Sequence, residues 1–81
     1  MNIKRNLAIS DSGFLFNPST GDSYSLNPIA QQIFSLMKEG KSDGEIKARI
    51  LEDYNTDSST FEKDFYDFIG LLNNYKLLEN E

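Results

Sequence analysis

The spacing of apolar positions changes rhythm at Asn27: before it they recur every second residue, after it every third or fourth. A period of two marks a pleated strand and one near 3.6 a helix, so the change predicts a β-rich first third followed by helices. "KRNLAIS" reads as an apolar-centred strand stopped by Asp11-Ser12-Gly13, a turn cluster in which Gly13 takes positive φ at little cost. In "FLF" that follows, Phe14 and Phe16 share one face and Leu15 takes the other, so both faces of a second strand are expected to be at least partly covered. Asn17-Pro18-Ser19-Thr20-Gly21 suits a hairpin loop, with proline preset for the second turn position and glycine for the left-handed closing residue. "DSYSL" alternates strictly. Asp22, Tyr24 and Leu26 fall on one side and Ser23 and Ser25 on the other, which predicts a third strand with one wet face.

The second Asn-Pro begins something different. Asn27 is a good N-cap and Pro28 sits at the first helical position, where a missing N–H costs nothing. Ile29, Ile33, Phe34 and Met37 then form an apolar stripe that Gly40 ends. Ser42 and Glu45 have the spacing of a capping box for a second helix with the stripe Ile46, Ile50, Leu51 and Tyr54. Asp57 or Ser59 caps a third, with Glu62 able to complete a box from Ser59, and its stripe is Phe61, Phe65, Phe68, Ile69 and Leu72. Asn73-Asn74 marks its end, and the adjacent Leu77 and Leu78 are expected to fold back rather than stay wet. The fold class is therefore α+β: a three-stranded antiparallel meander followed by three helices, winged-helix-like, in one domain over residues 1–81. If strands pair in chain order the third is an edge. Edge donors alternate between neighbour and solvent, and one of Ser23 and Ser25 is expected to aim its N–H outward.

Composition narrows the function. A chain of 81 residues buries only about 60 to 65% of its unfolded surface, which argues against a deep catalytic cavity. Without cysteine there is no disulfide, thiolate nucleophile or thiolate zinc site, and without histidine the commonest general base and metal ligand are missing. No enzyme activity, catalytic residue, metal or cofactor is expected. Eight Lys+Arg against thirteen Asp+Glu leave a net charge of −5, which repels nucleic acid and anionic lipid and favours a neutral or basic partner. No apolar run approaches the roughly 20 residues of a membrane span, and "MNIKRNLAIS" lacks the apolar core of a secretion signal, so a cytoplasmic address is expected.

Three local patterns suggest chemistry and are better read as structure. Asp53, Asn55 and Asp57 stand at the first, third and fifth places of an EF-hand-like loop, but Ser58 replaces the glycine and Asp64 the bidentate glutamate, so capping is the expected role. The length, acidity and Asp11-Ser12 pair resemble an acyl carrier protein, yet Ser12 falls in a turn near the amino end rather than at a helix start. A winged-helix reader of nucleic acid is the rival class for the whole chain. Its third helix would carry Asp57, Glu62, Asp64 and Asp67 against Lys63 alone, and counterion release cannot drive such a face onto phosphates.

Ten aromatic residues, six of them between Tyr54 and Tyr75, exceed what one small helix face needs for packing. A free edge strand beside an aromatic helix is the arrangement for β-augmentation, in which a peptide pairs with the edge and drops alternate side chains against the helix. The candidate site is accordingly Asp22, Ser23, Tyr24, Ser25 and Leu26 on the strand with Phe61, Glu62, Phe65, Phe68, Ile69 and Leu72 on the helix. Phe65 is expected to line the groove, because Glu62 and Asp64 beside it are placed to meet basic peptide side chains.

The words "GFLFNPSTGDSYSLNPIAQQIF" and "KSDGEIKARILEDYNTDSSTFEKDFYDFIGLLNNYKLLE" resemble the PqqD-like family, also called RiPP recognition elements. The markers, in order from Leu7 to Glu79, are Gly13, the Pro18–Gly21 turn, Tyr24-Ser25-Leu26-Asn27, Ile33-Phe34, Glu45-Ile46, Tyr54, Asp57 and Leu77-Leu78. Pro28 and the more aromatic third helix depart from commoner members. The resemblance implies a non-catalytic module that holds the leader segment of a ribosomally made precursor peptide. A modifying enzyme, often a radical S-adenosylmethionine enzyme, then acts on the rest of the precursor. It also implies that the leader adds beside the third strand and packs against the third helix. The other reading kept open is a constitutive docking domain of an enzyme.

Overall fold

Two turns set the register of the sheet. At the first, Gly13 donates its N–H to the Ser10 carbonyl (3.0 Å) with φ of +88°, a conformation that calls for glycine, and a Cβ there would also displace the Gln31 amide. At the second, the Asn17 carbonyl accepts from Thr20 (3.2 Å) and Gly21 (2.8 Å) while its side-chain oxygen accepts from Ser19 (3.0 Å), which satisfies a buried asparagine within its own loop. In the computed structural model, which describes residues 2–79, these turns join β1 (Ala8–Ile9), β2 (Phe14–Asn17) and β3 (Asp22–Ser25) into an antiparallel sheet of order β1-β2-β3. The first strand is shorter than "KRNLAIS" suggested. Residues 5 and 6 form a turn, and Leu7 is buried with its carbonyl bonded to Lys38 Nζ at 2.8 Å.

The two faces of β2 also depart from expectation. Leu15 is fully buried, but Phe14 and Phe16 stand 47% and 42% exposed on the outer face, beside Ala8, Ser23 and Ser25 of the neighbouring strands. The helices cover only one side of the sheet, so the other is left to solvent.

Three helices follow: α1 (Pro28–Lys38), α2 (Asp43–Asp53) and α3 (Ser58–Asn74). Each has a side-chain N-cap. Asn27 accepts from Ala30 N (2.8 Å), Ser42 and Glu45 exchange both bonds of a capping box (3.2 and 2.9 Å), and Asp57, not Ser59, accepts from Thr60 N (2.7 Å). Past α1, Gly40 and Lys41 donate back to Met37 and Leu36 (3.0 and 3.1 Å), a Schellman end. Past α3 the same pattern runs from Lys76 to Asn73 and from Leu77 to Leu72 (3.1 and 2.8 Å), with Lys76 held at φ of +58°. That turn delivers Leu77 into the core and lets Leu78 bridge Ile3, tying the amino end to the carboxyl end. Leu15, Leu26, Ile33, Phe34, Ile46, Ile50, Phe61, Phe65, Phe68 and Leu72 share the core between sheet and helices.

Candidate functional site at the free edge of the sheet

Among the described residues β3 has a neighbour on one side only, β2. Its donors are assigned by the register: Leu26 N–H donates to the Gly13 carbonyl (2.9 Å), while Ser25 lies opposite Phe14 and Tyr24 opposite Leu15. Bonded and non-bonded pairs alternate along an antiparallel ladder, so Tyr24 turns its backbone groups to β2 and both Ser23 and Ser25 turn theirs outward. Residues two apart share an orientation. The expectation that the two serines differ is thus corrected: they form one row of free donors and acceptors, and Tyr24 is the inward member.

Beside this edge lies an open cleft of about 220 Å³. Its walls come from the end of β3 and the start of α1, through Ser25, Leu26, Asn27, Ile29, Ala30 and Ile33, and from α3 through Asp64, Asp67, Phe68 and Leu71. At the β3 end, Tyr24 packs on Tyr75 with ring centroids 4.6 Å apart, bridging strand and helix. Partial burial raises the Tyr24 phenol pKa, with Asp22 and then Tyr75 adding to the effect, so the phenol stays neutral and available as a donor. Cleft chemistry is an apolar floor with two carboxylates on the helix side and, among the described residues, no basic side chain in its lining.

The residues singled out from sequence separate into three groups. Ser25, Leu26 and Phe68 line the cleft, Tyr24 packs on Tyr75 next to them, and Asp22 and Ser23 continue the same edge. Phe61, Phe65 and Leu72 belong to the core. Phe65 stacks on Phe61 at 5.4 Å and is not among the residues that line the cleft, which takes Phe68 alone from the aromatic stripe. Glu62 and Ile69, two turns apart and hence on one side of α3, face away from the cleft; Glu62 meets Lys47 of α2 at 2.9 Å. The cleft wall instead uses Asp64, Asp67 and Leu71, a second stripe at three- and four-residue steps beside the aromatic one. That spacing was visible in the sequence, but a stripe of mixed carboxylate and leucine reads as ordinary solvated surface until the strand beside it is known. Asp53 and Asp57 of the EF-hand-like run are engaged locally, by Arg49 (3.1 Å) and Thr60 (2.7 Å).

A winged-helix-like α+β domain with one sheet edge left open beside its last helix is the class this arrangement defines. The family model for Coenzyme PQQ synthesis protein D (PqqD) matches residues 13–78, and the chain belongs to that family. It is also similar to a solved structure, TbiB1 in complex with the TbiA(beta) leader peptide, at 34% identity and a TM-score of 0.83, covering 100% of this chain and 98% of that one. No curated protein matches the chain. Among the described residues no helix is long and apolar enough to cross a membrane.

Proposed function

We propose that this protein is a peptide-binding chaperone, a RiPP recognition element that takes the leader segment of a precursor peptide as a fourth strand on β3. The observation that carries this reading is the row of outward N–H and C=O groups on Ser23 and Ser25 directly beside the apolar-floored cleft. Family membership supports it, as does the likeness to TbiB1, which was solved with a leader peptide. Contacts are assigned to Asp22–Leu26, to Phe68 at the cleft floor, and to Asp64, Asp67 and Leu71 on the helix wall, with Tyr75 at the end. Phe61, Phe65, Ile69 and Leu72 act beneath and behind this surface by fixing the position of α3.

The role is non-catalytic: residues 1–81 form one binding domain that presents the bound precursor to a modifying enzyme, of which a radical S-adenosylmethionine enzyme is one candidate class. Work of this kind belongs in the cytoplasm, where ribosomal precursors are made. The test is to titrate the protein with leader segments of short precursor peptides encoded beside its gene, with random duplex DNA as the comparison. A leader should bind and the DNA should not, even at low salt; salt-sensitive DNA binding without leader binding would replace this reading with the nucleic-acid one.

A further inference from the structure

We infer that the cleft selects peptide strands carrying Lys or Arg two residues from a bulky apolar side chain, with Asp64 and Asp67 reading the cation and the floor at Phe68 and Leu71 reading the anchor. This rests on the proposed strand addition and specifies its ligand. A strand added to β3 sends every second side chain to the helix side, and positions two apart on a strand are separated by about 6.6 Å. Along α3, the midpoint of Asp64 and Asp67 lies four residues before that of Phe68 and Leu71, about 6 Å at a helical rise of 1.5 Å per residue. Two consecutive helix-facing side chains of the peptide therefore match the acidic and the apolar stations in turn.

The charges at the acidic station are poorly compensated. Asp67 is met by Lys63 at 3.1 Å, a pair 77% and 68% exposed, which holds it weakly against competition. Asp64 is half-buried, and among the described residues no side chain pairs with it. Asp22 adds a further negative charge on the strand side, and the protein as a whole carries −5. A cation entering the cleft meets carboxylates from the helix and no basic lining residue, while an acidic side chain meets the same groups as repulsion.

The probe is an array of twelve-residue synthetic peptides, alternating small polar residues with randomised positions, incubated with the intact chain. Retained peptides should be enriched in Lys or Arg two residues from Leu, Ile, Phe or Tyr. In solution, Lys→norleucine in a retained peptide should weaken binding about two- to fivefold and Lys→Glu about tenfold, and both differences should shrink in about 0.5 M salt. D64K should turn the preference towards Glu or Asp, and the nearly isosteric D64N should abolish it with an unchanged melting temperature. E62Q, on the other side of the helix, should leave it intact. Peptides retained with no preference for Lys or Arg, or a preference unmoved by D64N and D64K in folded protein, would overturn this inference and leave strand addition standing. An array from which no peptide is retained would overturn both.

Discussion

The two flanks of α3 carry similar side chains and lead different lives. On one, Glu62 is met by Lys47 of α2, and Ile69, like Leu71 on the other, is partly buried against the core. On the other, Asp64 and Leu71 have the same spacing of seven but face a cleft beside a strand with unused hydrogen-bonding groups. Composition does not distinguish the flanks; what lies opposite does. A helix fills one side with its own side chains, whereas an edge strand, running out at Ser25, leaves room for another backbone.

The core that both flanks share should give the largest losses. Phe65→Ala or Phe61→Ala should cost about 3–5 kcal/mol in chemical denaturation, because each removes a buried ring. Leu71→Ala, at the half-buried cleft wall, should cost well under half of that and act on peptide binding instead. A Phe65→Ala protein that stayed near wild-type stability while losing peptide would return Phe65 to the cleft.

Proline placed along β3 separates the outward donors from the inward one. Tyr24→Pro should destabilise the sheet by about 3 kcal/mol or more, since it deletes a bond to β2 and disturbs the contact with Tyr75. Ser23→Pro and Ser25→Pro should melt closer to wild type, yet each should lose about 0.5–1.5 kcal/mol of peptide affinity for its missing donor, with Ser→Ala at the same positions neutral. Smaller still is the effect of Lys76→Gly at the left-handed end of α3. It should raise stability by up to about 1 kcal/mol in thermal melts, without touching binding, because glycine carries no Cβ penalty there.

Acid should lower stability through two helix ends. The backbone N–H groups of Ser42 and Thr60 hold the Glu45 and Asp57 carboxyls below their ordinary pKa. A group whose pKa is lowered by folding adds stability above its unfolded value and loses it as pH falls through the folded one. Melting temperature should therefore hold from neutral pH to about pH 5 and decline below about pH 4. Asp57→Asn, which keeps a capping oxygen, should blunt that decline.

How much of this was legible before folding follows from which signals are local. Caps, turns and stripes are short-range, and Asn27, the Ser42–Glu45 box and the loop closed by Gly21 all stand where the sequence put them. The edge position of β3 followed as well, from strand order alone. What escaped depended on neighbours. Phe14 and Phe16 looked like covered residues because apolar side chains fall on both faces of the second strand, but the helices reach only the Leu15 face of the sheet. Phe65 looked like a groove residue because acids flank it in sequence, although on a helix those neighbours point elsewhere, Asp64 to the cleft and Glu62 to Lys47.

Addition of a peptide strand at the edge of β3 is read directly by amide hydrogen exchange at single-residue resolution. Measured with and without a saturating leader peptide encoded beside the gene, exchange at Ser23 and Ser25 should slow about tenfold or more as their free N–H groups gain partners. Tyr24, already bonded to β2, and the α2 amides near Lys47 should change little. Unchanged exchange at both serines in a protein shown to bind the peptide would contradict the account.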